Sequence, residues 1–229
     1  MLSLKDFVKK IDHTVLKPNT DLEKVLSEAE KAVEIGFAAF VVPPVYVKRV
    51  SDVLSSSDVK LCTVVGFPLG YSTLEAKLAE LEKAVSDGAE EIDTVMNISY
   101  LKSGLIDELK NELLSLVEAA HSSGCIIKVI IQTDYLTDEE KIEACKLLIE
   151  VGADFVKTCT GFGPGRAMLH DVTLLRKVAG DKIKVKAAGG IRHAEDALAF
   201  IQAGADRIGT SSGVTIVEEY RKILESKEG

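Results

Sequence analysis

Asp154-Phe-Val-Lys-Thr-Cys-Thr-Gly161 and Ile183-Lys-Val-Lys-Ala-Ala-Gly-Gly190 are short apolar runs that each place a lysine close to a glycine. Alternation along an extended strand puts Phe155, Lys157 and Cys159 on one face and Val156 and Thr158 on the other. The second run separates Lys184, Lys186 and Ala188 from Ile183, Val185 and Ala187 in the same way. An ammonium rarely sits in so apolar a run unless it is paired or used. Glycine follows each lysine within a few residues, where a strand ends and a loop begins. Strand ends of this kind are where parallel-sheet enzymes keep their chemistry.

On both sides of these runs, apolar stretches alternate with longer amphipathic ones, the mark of β/α units. A helical turn is predicted over 3–9, then a strand over 11–15 with Asp12 and Thr14 on one face. A helix capped by Asn19 or Thr20 runs to Ile35, and Gly36 ends it. Strands are expected at 38–42, 60–66, 91–96 and 125–131, with 207–213 the eighth strand and its loop, besides the two lysine runs. Helices are expected at 45–54, after Thr73, at 106–122, at 137–151 behind the capping box Thr137-Asp-Glu-Glu140, at 169–179, at 193–203, and to about 225 at the close. Eight strands, each followed by a helix at a spacing of roughly 28 residues, match a single (β/α)8 TIM barrel over 1–229 with a short N-terminal helix. No linker or low-complexity segment marks a second domain. A doubly wound open sheet is the alternative, but it normally has fewer strands and a different phosphate loop.

A net charge of −8 argues against a general nucleic-acid binder, which needs a basic surface. Met1-Leu-Ser-Leu-Lys-Asp6 has no apolar core of a secretory signal, and no run approaches the roughly twenty apolar residues of a membrane span. Cys62, Cys125, Cys145 and Cys159 form no CxxC pair, which fits buried thiols in a reducing cytoplasm. HExxH and DxDxDG loops are absent, so no metal is expected.

In a barrel, Asp12, Asp93, Lys128, Lys157 and Lys186 converge if their faces point inward. A structural ion-pair network is one reading of such a group. Placement favours a functional one, because Lys157, Lys186 and Asp93 lie toward strand ends that open to loops. Lys128 sits mid-strand and reads as their partner. A free lysine, with a pKa of about 10.4, offers well under one percent neutral amine at pH 7. Burial and a neighbouring cation both lower that value, so Lys186 beside Lys157 would make one of them a usable nucleophile. Amine and carbonyl form an imine whose protonated state draws electrons from the adjacent carbon. Asp93 could then move protons, and no external cofactor is needed.

Gly189-Gly190 and Gly209-Thr-Ser-Ser-Gly213 follow the seventh and eighth strands, the usual phosphate position in barrels. Ser211 and Ser212 would add hydroxyl donors. Tight loops alone would also use these glycines. His13, His121, His170 and His193 form no triad by spacing, with His121 and His193 expected at the surface. Cys159 has no evident His partner and reads as packing. Arg192 either assists a phosphate or starts a helix.

Ile11-Asp-His-Thr14, Val65-Gly-Phe-Pro-Leu-Gly70, Glu91-Ile-Asp-Thr-Val-Met-Asn97, Val156-Lys-Thr-Cys-Thr-Gly-Phe162, Val185-Lys-Ala-Ala-Gly-Gly-Ile-Arg192 and Gly209-Thr-Ser-Ser-Gly213 resemble the deoxyribose-phosphate aldolase family nearly end to end. The resemblance implies reversible cleavage of 2-deoxy-D-ribose 5-phosphate to acetaldehyde and D-glyceraldehyde 3-phosphate, in deoxyribonucleotide catabolism. It implies Lys157 as the Schiff-base lysine, with Asp93 and Lys186 in proton transfer. Asp12, Thr160 and the Gly161 backbone would meet substrate hydroxyls, while Gly189, Gly190, Gly209, Ser211 and Ser212 would hold the phosphate. It further implies a cytoplasmic homo-oligomer, dimer or tetramer, acting on sugar phosphate and aldehydes without metal. Two departures stand out: Cys159 where the family often has serine, and Gly163-Pro-Gly-Arg-Ala-Met168 in place of a Gly-Gly-Ala-Thr run. Other readings are a barrel aldolase for a longer keto-sugar phosphate and a sugar-phosphate binding protein with a retired site.

Overall fold

Eight parallel strands close on themselves in sequence order: β1 (Ile11–Thr14), β2 (Ala39–Val42), β3 (Lys60–Val65), β4 (Glu91–Val95), β5 (Ile126–Ile130), β6 (Phe155–Lys157), β7 (Lys184–Ala188) and β8 (Arg207–Thr210). The closing step is β1 against β8, with Ile11 opposite Ile208 and Asp12 opposite Gly209, which excludes an open sheet. The structure is a computed structural model describing residues 2–228, with side-chain surroundings as far as Ser226. The expected domain limits at Met1 and Gly229 lie outside the described residues.

Ten α-helices accompany the strands among the described residues: α1 (Leu4–Val8), α2 (Leu22–Ile35), α3 (Val47–Leu54), α4 (Leu74–Ser86), α5 (Ile98–Lys102), α6 (Ile106–Ser122), α7 (Asp138–Glu150), α8 (Leu169–Ala179), α9 (Ala194–Gln202) and α10 (Gly213–Glu228). Among those residues, no helix is long and apolar enough to cross a membrane. Thr73 caps α4 through Ala76 N–H, and the Thr137/Glu140 capping box opens α7 as its sequence predicts. Three local expectations differ. Asp21, and not Asn19 or Thr20, caps α2, its carboxylate accepting from Lys24 N–H at 2.8 Å. The expected 45–54 helix begins with a 3-10 turn at Pro44–Tyr46, because Pro43-Pro44 hold that backbone before α3 can start. The five-residue α5 was not expected; Asn97 caps it straight out of β4, and one turn is too short to show a helical period.

Strand alternation sorts the side chains into two layers. Outward residues such as Phe40, Leu61, Ile92, Ile127, Val156, Val185 and Ile208 meet the apolar helix faces and form the main core. The inner layer is divided. Ala39, Val41, Cys62 and Val64 from β2 and β3 pack as a separate apolar cluster with Leu16 and Phe67. The strands from β4 to β8, with Asp12 of β1, fill the rest of the interior with charge.

Candidate active site

Register brings the two decisive lysines side by side, Lys157 of β6 opposite Lys186 of β7. Asp93 lies opposite Lys128 in the β4–β5 pair. All four side chains are buried, and three have no exposure at all. Asp93 Oδ2 accepts from Lys157 Nζ at 2.6 Å and from Lys186 Nζ at 2.7 Å, while its Oδ1 accepts from Lys128 Nζ at 2.9 Å. Lys186 also touches Asp12 Oδ2 at 2.6 Å. The five residues expected to converge do so.

A glycine makes room for this arrangement. Gly209 faces inward from β8, and a Cβ there would stand 3.0 Å from Lys186 Cε and 2.9 Å from Ala188 Cβ. The lysine stem lies where another residue would put its first carbon. Glycine is needed at Gly189 for a second reason: its φ is +110°, and a Cβ would approach Cys159 Cβ to 3.1 Å.

Burial would raise the Asp93 pKa, but the cations of Lys128, Lys157 and Lys186 outweigh it and hold the carboxyl well below its usual range. Asp12 is likewise held low against burial, first by Lys186 and then by Lys128 and Arg207. Burial also opposes charge on Lys186 and Lys128, yet their carboxylates win and both stay above the ordinary lysine value. Lys157 goes the other way. Burial lowers it, Asp93 only partly restores it, and Lys186 lowers it further. Lys157 is thus the one lysine of the three on the neutral side of its ordinary range.

It is also the one member of the cluster that reaches open space. A cavity of about 250 Å³ at the strand ends is lined by Lys157, Thr160, Gly161, Gly189, Gly190, Gly209 and Ser211, with Lys17, Phe162 and Arg192 also on its wall. That is smaller than the roughly 300–1,000 Å³ common for drug-sized ligands and suits a small metabolite. Asp12, Asp93 and Lys186 are fully buried and do not line it. Ser212 is off the wall, and its N–H is donated to Thr210 Oγ1 at 2.9 Å. A wider groove of about 520 Å³ beside α6 and α7 is lined by exposed Glu139, Glu143, Lys146 and Glu150 with Ile106, Ile142 and Leu147, and holds no buried amine.

Sequence reasoning missed several contributors. Arg207 Nη1 donates to Asp12 Oδ1 at 2.6 Å, and Glu91 Oε2 meets Lys128 Nζ at 2.6 Å. Both follow from strand parity, Glu91 sharing a face with Asp93 and Arg207 with Gly209. The Cys62 thiol also faces Asp93 Oδ1, at 3.3 Å, and burial raises its pKa so that it stays protonated. Gln132, just past β5, has a left-handed φ of +54°, the single non-glycine with positive φ among the described residues. Its side-chain carbonyl accepts from Thr160 N–H at 2.8 Å and its amide donates to Asp134 at 2.7 Å, fixing the loop after Lys157. No local pattern signals that geometry.

His13 is buried, with Nε2 2.9 Å from Glu28, whereas His121, His170 and His193 are exposed and paired with carboxylates. Cys159 is packed fully inside, 3.4 Å from Thr133 Oγ1. Asp138, His170 and Asp171 are the one metal-like grouping among the described residues, but Lys141 Nζ sits between the carboxylates at 3.0 and 2.7 Å.

A closed parallel barrel with a buried lysine amine bordering a strand-end cavity is an architecture suited to enzymes of carbonyl chemistry. Comparison with known proteins narrows the class. Residues 7–219 match the sequence profile of the DeoC/LacD family aldolase, and the chain belongs to that family. Over 221 residues it is 54% identical to the deoxyribose-phosphate aldolase of Caldanaerobacter subterraneus subsp. tengcongensis, covering 96% of both chains. A solved structure described as QR15, an aldolase, superposes with a TM-score of 0.92 at 42% identity, covering 96% of this chain and 98% of that one. The tetrameric deoxyribose phosphate aldolase from Aeropyrum pernix gives 0.90 at 35% identity, covering 96% and 93%.

Proposed function

We propose that this chain is a Schiff-base aldolase that cleaves 2-deoxy-D-ribose 5-phosphate to acetaldehyde and D-glyceraldehyde 3-phosphate, and runs the reverse addition. The carrying observation is that Lys157 alone of the buried cluster lines the cavity, with burial and Lys186 both favouring its neutral amine. Lys157 Nζ adds to the C1 aldehyde, and loss of water gives the imine. Removal of the C3 hydroxyl proton lets the C2–C3 electrons flow into the protonated imine, releasing D-glyceraldehyde 3-phosphate. The remaining enamine takes a proton at C2, and water frees acetaldehyde and the amine. Bonds and protons balance with no outside electron acceptor, so the reading needs neither metal nor redox cofactor.

Asp93 Oδ2 touches both Lys157 and Lys186, so one oxygen links the nucleophile to a proton carrier. Asp12 holds Lys186 from its other side. Thr160, Gly161, Gly189, Gly190, Gly209 and Ser211 line the cavity, which supports Thr160 and Gly161 as partners of the sugar hydroxyls and the glycine loops, with Ser211 and Ser212, as holders of the phosphate. The charge balance and thiols suit a cytoplasmic enzyme, and assembly as a dimer or tetramer follows the tetrameric relative.

Borohydride trapping with acetaldehyde tests this directly. The adduct should map to Lys157, and Lys157→Ala should lose both trapping and turnover of the deoxy-sugar phosphate. An adduct on another lysine sinks the assignment. A keto-sugar aldolase would trap acetaldehyde poorly, and a binding protein not at all.

A further inference from the structure

The buried cluster is larger than the reaction requires. Arg207, Asp12, Lys186, Asp93 and Lys157 form a chain of alternating charge through the barrel, with contacts of 2.6, 2.6, 2.7 and 2.6 Å in that order. Lys128 branches from it, 2.9 Å from Asp93, 3.8 Å from Asp12 and 2.6 Å from Glu91. Glu91 also faces Arg207 at 3.5 Å. Every barrel strand is accounted for. β2 contributes Ala39 and Val41, and β3 Val64 and the neutral thiol of Cys62, while Lys60 at the start of β3 is exposed and held by Glu90, near enough to Glu91 to feel its charge. Lys184 of β7 is exposed, 5.4 Å from the Phe155 ring centroid.

The cluster therefore holds four basic groups, Lys128, Lys157, Lys186 and Arg207, against three carboxylates, Asp12, Glu91 and Asp93. With every group ionised, the contacting groups carry one excess positive charge; Arg207 keeps 18% of its side chain exposed and the six others are buried, so the excess is costly. Releasing one proton balances it. Lys157 is the member that can release a proton, since it alone borders the cavity and has a single carboxylate contact. Arg207 is the cation that tips the count, because a guanidinium does not deprotonate. Without it, a charged Lys157 would be the balanced state.

We propose that Arg207 and Glu91, neither of which borders the cavity, are positioning residues that set the charge balance of the barrel interior and so decide how much of Lys157 stands ready as free amine. This rests on Lys157 being the imine-forming residue. The two act in opposite senses. Loss of Arg207 removes the excess cation and lets Asp12 draw on Lys186, leaving Asp93 freer to hold a protonated Lys157. Loss of the Glu91 charge deepens the cation excess and turns Lys128 toward Asp93, loosening the hold of Asp93 on Lys157.

The test is the rate of borohydride trapping by acetaldehyde against pH, with the adduct mapped by mass spectrometry. Arg207→Met should move the profile to higher pH and Glu91→Gln to lower pH, each by about one unit, the effect of a unit charge some 10 Å away at an effective dielectric of ~20. At a fixed pH below the midpoint, the first change slows trapping about tenfold. Arg207→Lys, which keeps the charge, should stay near the parent profile. Glu91→Gln is nearly isosteric, so it carries the test even if Arg207→Met folds poorly. A merely structural role would lower stability in both variants without moving the profiles in opposite directions. Profiles that stay put, or move the same way, overturn the inference while a Lys157 adduct still stands. An adduct elsewhere overturns the assignment of Lys157 itself.

Discussion

Lys77 of α4 lies outside the charge cluster of the barrel interior but is as deeply buried. Its ammonium has no exposure and donates to Glu112 Oε1 of α6 at 2.7 Å and to the Val95 carbonyl at the end of β4 at 2.9 Å. Glu112, 2% exposed, also accepts from Asn97 N–H at 3.2 Å. Lys77→Met keeps the stem but strands the carboxylate in the interior and leaves the Val95 oxygen without its donor. Removing one partner of a buried ion pair costs about 3–5 kcal/mol, whereas replacing both by apolar groups is often neutral. At roughly 2–4 °C per kcal/mol for a chain of this size, the melting temperature should fall by on the order of 10 °C. Equilibrium urea unfolding of the parent, Lys77→Met and the double variant Lys77→Met/Glu112→Met measures it, with the double variant recovering most of the loss. A single-variant loss under about 1 kcal/mol, or a double variant no better than the single, would refute the reasoning.

Lys186→Met should raise the pH at which Lys157 forms its imine. Both nitrogens touch Asp93 Oδ2, at 2.6 and 2.7 Å, so they lie within about 5 Å of each other. A unit charge at that distance and an effective dielectric of ~20 is worth about two pH units. Trapping should recover at high pH but turnover only in part, since the proposed proton carrier is also gone; an unmoved trapping profile would remove Lys186 as a tuning charge. Glu28 is held well below its usual pKa, first by its hydrogen bond with His13, then by Lys24 and Lys31 against burial. A depressed carboxyl stabilises the fold above its unfolded pKa of about 4.3 and loses that contribution as pH falls toward the lower folded value. Glu28→Gln should therefore flatten the acid limb of the stability–pH curve, and an unchanged limb in urea titrations would count against it.

The repeating β/α pattern was legible because each period combines an apolar strand, a glycine and an amphipathic helix. The bounds of α6 and α8 fall on the expected residues for that reason. Strand parity likewise brought Asp12, Asp93, Lys128, Lys157 and Lys186 inward. It also puts Glu91 on the face of Asp93, but Glu91 and Arg207 both sit at the first residue of their strands, where a charge ordinarily reads as a solvated end, and neither joined the converging group. The clamp of Gln132 on Thr160 spans 28 positions and depends on a strained φ at an otherwise ordinary residue. Periodicity holds no trace of such a contact.

Gly209 has a consequence for how this chain can change over generations. A methyl there would stand 2.9 Å from Ala188 Cβ and 3.0 Å from Lys186 Cε, so position 209 stays bare for as long as both neighbours on β7 keep their side chains. The three sites, on adjoining strands, therefore vary together. A descendant that shortened the lysine alone would still meet the Ala188 methyl, and only a change at both positions would release the glycine. A glycine at 209 is thus a record, carried on a different strand, of how tightly β7 fills the space beside it.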